Sequence, residues 1–217
     1  MKPTDNISPY VIKRLPRYYR YLGELLEEGR VKISSNELSQ KMRITASQIR
    51  QDLNCFGGFG QQGYGYNVEI LRKEISDIIG IEKNNKVIIL GAGSMGQAIC
   101  DNISFEKRGC TLAGIFDKDP LLHGKIIAGH QIMSDEHLPQ FCREEQPKIA
   151  VLCVPLESAR GVCDILIKLG IKSFWNFSHF DINHHFDNVN VENVHLGDSL
   201  LTLVYKVNVP RETDIII

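Results

Sequence analysis

The chain has 217 residues, 43% of them hydrophobic and 24% charged, with a formal net charge of −1. This is ordinary globular composition, enough for one large domain or two small ones. No apolar run is long enough to span a bilayer and no signal peptide is visible, so a cytoplasmic protein without membrane contact is expected.

The near-neutral total hides an asymmetry: residues 1–66 hold ten Lys/Arg against six Asp/Glu, and the remainder holds fifteen against twenty. A basic front and an acidic back suggest two modules with different partners, although so small an excess does not establish nucleic-acid binding. The six cysteines (Cys55, Cys100, Cys110, Cys142, Cys153 and Cys163) show no CxxC pairing, and several sit in apolar runs. They read as reduced core residues.

In chain order, residues 1–8 form a loose tail and Pro9 suits a first helical position after Ser8. A helix to Gly29 follows, with Val11, Leu15, Tyr18, Leu22, Leu25 and Leu26 on one face. Arg14, Arg17 and Arg20 recur on an adjacent face, which by itself reads as solvated charge. Ser34-Ser35-Asn36-Glu37 is a capping box opening a short helix, and Thr45-Ala46-Ser47-Gln48 is another, opening a helix to about Phe56. The short turn between them suits a helix-turn-helix. Ser47, Gln48, Arg50 and Gln51 on the second helix suit base edges and phosphates.

Residues 56–68 carry glycines at 57, 58, 60, 63 and 65 with interleaved aromatics. That pattern suits a tight β-ribbon, so a winged helix-turn-helix is expected, with the wing running through Gln61, Gln62, Gly63 and Tyr64. Residues 68–80 read as an amphipathic connecting helix, and Asn84-Asn85 marks a boundary. A winged-helix domain over 1–83 and a second domain over 84–217 follow.

The second domain opens on the apolar run Val87–Leu90, then Gly91-Ala92-Gly93-Ser94-Met95-Gly96, an amphipathic segment from Gln97 to about Phe105, and a second apolar run ending on Asp117. Strand, glycine turn, helix, strand and terminal acid make a dinucleotide-binding Rossmann unit. The first helical amides would hold the phosphates. Asp117 would take the ribose hydroxyls and repel a 2′-phosphate, favouring NAD(H). Its distance from the motif exceeds the usual roughly 20 residues, which a longer helix could absorb.

Beyond Asp117 the alternation continues as a doubly wound parallel sheet. Ile149–Val154 is a buried strand, 157–169 a helix, and Ser173–Phe177 a further strand. In such a sheet, Val154-Pro155 and Asn176-Phe177-Ser178 belong at the same mouth as Gly91–Gly96. Ser199 to about Val207 is too apolar for a free tail and must pack on the core or on a second subunit. All seven histidines follow residue 122, but without ligand spacing on a scaffold, so no metal is expected. No nucleophile–base pair or YxxxK-like arrangement accompanies the pocket, which argues against an enzyme.

These pieces resemble the Rex family of bacterial redox-sensing transcriptional repressors over almost the whole chain. The resemblance rests on Arg14-Leu15-Pro16-Arg17-Tyr18, Ile33–Leu38, Ser47–Leu53, the wing through Tyr66, Gly91–Gly96, Phe116–Pro120, Val154-Pro155, Gly170-Ile171-Lys172 and Val191–Val194. It implies a homodimer with exchanged C-terminal helices, a winged helix on an A/T-rich inverted repeat, and release of the DNA by NADH with NAD⁺ competing weakly. Candidate DNA contacts are then Arg14, Arg17, Ser47, Gln48, Arg50, Gln51, Gln61, Gln62, Gly63 and Tyr64. Candidate cofactor contacts are Gly91 to Gly96, Asp117, Lys118, Val154, Pro155, Asn176, Phe177 and Ser178.

The chain also departs from the family pattern. Gln61-Gln62 stands where the wing commonly carries Lys-Arg, and Gln51 where Lys is frequent. Of a tyrosine, an arginine and a partner-subunit aspartate that switch contacts between redox states, the arginine matches Arg20. The other two align with Asn102 and His195, and Ser178-His179 replaces Ala-Pro. The competing readings are a nicotinamide-dependent oxidoreductase with an accessory N-terminal domain and, more distantly, a binder of a CoA-type nucleotide.

Overall fold

The computed structural model describes residues 7–57 and 65–209, and the chain divides into two units, Met1–Lys83 and Asn84–Ile217. In the first, helix α1 (Pro9–Glu27) starts at a proline whose missing N–H has no helical partner to lose. Val11, Leu15, Tyr18, Leu22 and Leu25, spaced three and four apart, are all buried. Helix α2 (Ser35–Met42) opens on a complete capping box. The Glu37 amide donates to Ser34 Oγ at 3.1 Å, and the Ser34 amide donates back to the Glu37 carboxylate at 2.9 Å.

Arg43, in the left-handed region, turns the chain into α3 (Ala46–Asn54). Here only half of the expected capping box forms. The Gln48 amide donates to Thr45 Oγ1, but the Gln48 side chain turns inward to Asp52. Strands β1 (Lys32–Ile33) and β2 (Tyr66–Asn67) pair antiparallel at the base of the wing. The wing residues Gln61, Gln62, Gly63 and Tyr64 lie outside the described residues. Helix α4 (Val68–Ile79) ends at Gly80 and completes the core through Val68, Leu71 and Ile75.

The second unit holds a sheet ordered β5-β6-β4-β3-β7-β8-β9 among the described residues. The strands are β3 (Asn85–Leu90), β4 (Cys110–Asp117), β5 (Ile126–Ile127), β6 (His130–Ser134), β7 (Ile149–Leu152), β8 (Ser173–Asn176) and β9 (Asn190–Asn193). All neighbours are parallel except the β5–β6 hairpin. The central strands alternate between two cores. Ile88, Leu90, Ala150 and Leu152 pack with α6 (Leu138–Glu145) and α7 (Leu156–Lys168). Val87, Ile89 and Val151 pack on the other face with α5 (Ser94–Asn102). This is the doubly wound order, with its switch point between β3 and β7.

Two expectations need correction. Helix α5 begins inside the glycine motif at Ser94 and stops at Asn102, three residues earlier at each end than read from the sequence. The long interval before Asp117 is taken up by a loop with buried Phe105 and a 3₁₀ turn, Glu106–Arg108, not by a longer helix. At the other end, beyond the short helix α8 (Ile182–His185), α9 (Leu196–Asn208) has no buried residue. Leu200, Leu201, Leu203, Val204, Tyr205 and Val207 are all exposed, from 47% to 75%. The core of the second unit thus covers none of these residues.

The first unit contains the one buried carboxylate among the described residues, Asp52 of α3. Arg14 donates to it twice, from Nε at 2.6 Å and Nη2 at 2.7 Å. Tyr18 Oη donates at 2.9 Å and Gln48 Nε2 at 2.8 Å. Burial alone would raise this carboxyl, but the four donated bonds outweigh it and hold the group below the usual aspartate range. A carboxyl depressed in the folded state stabilises above its unfolded value, near 4, and loses that contribution as pH falls through the folded value. Asp52→Ala should therefore cost about 3–5 kcal/mol by stranding its donors, measured by urea unfolding at neutral pH. Asp52→Asn should also flatten the acid limb of the stability curve below about pH 4. Unchanged unfolding in both variants would contradict this role.

Candidate functional site

The second unit gathers its chemistry at the carboxyl ends of β4, β3 and β7. Gly91 leaves β3 at φ +95°, and a Cβ there would lie 2.5 Å from the Cys153 carbonyl oxygen. Gly96, in the first turn of α5, packs so closely that a Cβ would strike the Gly91 carbonyl. These two positions hold the helix start against the turn, and only glycine fits either. Around Gly93 nothing lies within 4 Å of an added Cβ, so the backbone there is open to a ligand. The first α-helical bond across this cap runs from the Gln97 amide to the Gly93 carbonyl. The amides of Ser94, Met95 and Gly96 thus precede the helical ladder, where an anion is favoured.

Asp117 ends β4 beside this turn. Its Oδ2 accepts the Ala92 amide at 2.6 Å and its Oδ1 the Asp119 amide at 2.8 Å. Each oxygen retains a further lone pair, so the carboxylate is oriented and can still accept from vicinal hydroxyls. A cavity of about 320 Å³ opens here, lined by Gly91, Gly93, Asp117, Lys118, Val154 and Pro155 among others. Lys118 Nζ donates across it to Ser158 Oγ at 3.1 Å. The open Gly93, the helix N-terminus and the oriented acid fit the pyrophosphate and ribose of a dinucleotide.

Not every residue expected at this mouth lines it. Phe177 stands at the same sheet edge, its amide donating to the Leu152 carbonyl, but its ring packs on Trp175 and the core. Asn176 and Ser178 are buried and bonded to each other; Asn176 Nδ2 also donates to the Phe180 carbonyl and to Asn193 Oδ1. They fix the loop after β8 and do not line this cavity. Sequence reading missed Leu122, Asp135, Cys153, Ser158 and Val162, which do line it. Asp135 follows β6, a strand in which only Ile132 is buried, so no apolar run announced it. Cys153 is half-buried and free, and burial pushes its thiol up to about 12, which keeps it protonated and poorly nucleophilic.

In the first unit, Ser47, Arg50 and Gln51 share the exposed side of α3. Arg50 Nη1 donates to Ser35 Oγ at 3.0 Å, and Arg17 Nη2 to the Met42 carbonyl at 2.8 Å. Arg14 and Gln48 are both bound to Asp52, so these side chains brace α3 against α1.

Residues 6–54 match the family described as "Putative DNA-binding protein N-terminus", and residues 82–180 the one described as "CoA binding domain". The chain is 52% identical to the redox-sensing transcriptional repressor Rex of Clostridium novyi, over 96% of this chain and 99% of that one. The Rex of Thermoanaerobacter pseudethanolicus is 50% identical over 96% and 92% of the two chains. This chain belongs to the Rex family. Among solved structures, the Rex-family repressor RSP in complex with β-NAD⁺ and operator DNA superposes with a TM-score of 0.87 at 51% identity, over 94% of this chain and 93% of that one. The complex of RSP with β-NADH gives 0.85 at 48% identity, over 93% and 94%.

Within this Rex chain Arg20, Asn102 and His195 have local partners. Arg20 is exposed, 3.9 Å from Glu24 and over the Tyr21 ring. Asn102 closes α5 with its amide donating to the Ala98 carbonyl. His195 caps α9, and its Nδ1 lies 3.0 Å from Nδ1 of His179, the rings stacked. One of these nitrogens must donate and the other accept, so the doubly protonated pair cannot keep this bond. His179 is a partner that the sequence reading did not assign.

Proposed function

We propose that this chain is a redox-responsive transcriptional repressor that holds operator DNA as a homodimer and is released from it by NADH. The observation that carries this reading is the likeness, at 51% identity over nearly the whole chain, to a repressor solved with β-NAD⁺ and operator DNA together. The residues have assignable parts. The amides of Ser94, Met95 and Gly96 take the pyrophosphate, and Asp117 takes both hydroxyls of the adenosine ribose. Lys118, Val154 and Pro155 wall the same cavity. Ser47, Arg50 and Gln51 meet the bases and phosphates of an A/T-rich inverted repeat, with Arg17 beside them and the wing residues Gln61, Gln62, Gly63 and Tyr64 following the groove. Such a protein works in the cytoplasm, where both DNA and the nucleotide pool lie. No described helix is long and apolar enough to cross a membrane.

NADH releases DNA only if it binds the released arrangement more tightly than the DNA-bound one. Arg20, Asn102 and His195 stand where the family exchanges contacts, and the ion pair of an arginine with an aspartate cannot form at position 195. The relay here runs through the His179–His195 pair at the start of α9. That helix is the dimer element, because its apolar residues find no cover within the second unit. A second reading, a CoA-type nucleotide, draws on the description of the matching family. The acids Asp117 and Asp135 in the cavity oppose the phosphate that CoA carries on its ribose.

The test is operator binding titrated with NADH, NAD⁺ and CoA. Release by NADH at far lower concentration than by NAD⁺, with no response to CoA, is expected; equal potency would overturn the reading. Asp117→Ala should weaken NADH by about 1.5–3 kcal/mol, the usual worth of a hydrogen bond to a charged group, and reduce discrimination against NADPH. Arg50→Ala should weaken operator binding by about 1–3 kcal/mol and affect random DNA much less; equal losses would make Arg50 a phosphate contact only. Deletion of residues 199–217 should give monomer or aggregate on size-exclusion chromatography, and a stable dimer would rule out exchange of α9.

A further inference from the structure

The cavity beside the glycine turn holds a second carboxylate to which no group of the dinucleotide has been assigned. Asp135 is the first residue beyond β6, and Ser134 before it is the register partner of Asp117 across β4 and β6. The two acids therefore issue from neighbouring strand ends into one cavity. Asp117 is satisfied by two backbone amides. Asp135 is partly buried, and among the described residues no donor is bound to its carboxylate. Burial, and then the charge of Asp117, push its carboxyl above the usual range, while His123 and Lys118 pull the other way. A half-desolvated acceptor without a donor is costly, and a ligand that brings a donor relieves it.

The position in the sheet says which part of a ligand arrives there. Phosphates belong at the Gly91–Ser94 turn after β3, and the ribose at Asp117 after β4. The next strand outward is β6, so the base of the same nucleotide lies over its end. On adenine the 6-amino group is the only hydrogen-bond donor; the ring nitrogens are acceptors, which a carboxylate repels. We propose that Asp135 receives the 6-amino group of the adenine and so sets the base specificity of the nucleotide held at Asp117. The inference rests on the dinucleotide reading of this cavity and adds the recognition of its base.

The experiment compares NADH with its deaminated analogue, reduced nicotinamide hypoxanthine dinucleotide, by fluorescence titration of the full-length protein. The analogue replaces the 6-amino donor by a carbonyl oxygen aimed at the carboxylate. Wild type should bind NADH about ten- to a hundredfold more tightly than the analogue, the span of one charge-assisted hydrogen bond. Asp135→Ala should lose that preference mainly by weaker NADH binding. Asp135→Asn, whose amide can donate to the carbonyl, should lose it mainly by tighter binding of the analogue. Equal affinity of wild type for the two dinucleotides, or a preference that survives in Asp135→Ala, overturns the assignment. If wild type binds neither, the dinucleotide reading fails, and this inference with it.

Discussion

Everything the second unit does with a nucleotide depends on how closely three strand ends meet at Gly91. Its amide donates to the Phe116 carbonyl of β4, while the Cys153 carbonyl after β7 lies where a side chain would begin. That approach brings Asp117 beside the Ala92 amide and sets the start of α5 over the open backbone at Gly93. The acid is not waiting for a ligand to order it. Its geometry is fixed by the turn it helps to close, so little orientational entropy remains to be lost on binding.

The first unit relies on a different device. A winged-helix domain of this size has a small apolar core, and here a buried carboxylate ties α1 to α3 through Arg14, Tyr18 and Gln48. Such a network is directional, which apolar contacts are not, and it sets the rotation of α3 about its own axis. Rotation decides which side chains face outward. With Asp52 and Ile49 turned in, Ser47, Arg50 and Gln51 are turned out. Arg14 and Gln48 thereby aim the residues that remain exposed.

Most of the architecture was legible in the sequence because its signals were strong and local. The apolar runs into Gly91 and Asp117, the capping box at Ser34, and Pro9 each act within a few residues. What escaped depends on contacts between distant segments. Strand β6 buries a single residue, Ile132, so no periodicity marked it or the acid that follows. Nothing around Asn176 distinguishes an amide facing a ligand from one holding a loop, and the structure shows the second. Arg14 and Gln48 looked like surface polar groups because their partner, Asp52, reads locally as just another exposed helical acid.

An uncovered α9 also has a bearing on how such a molecule is made and kept. In the proposed pairing through α9, full stability is reached only by meeting another copy, so the folded fraction follows mass action as well as temperature. Dilution itself acts as a denaturant. A regulator present in few copies must therefore pair tightly or be lost to proteolysis, and an excess of chains trapped before pairing would expose a leucine-rich surface to its neighbours. A helix that joins the proposed pair and lies bare without it sets a lower limit on how scarce the protein can be.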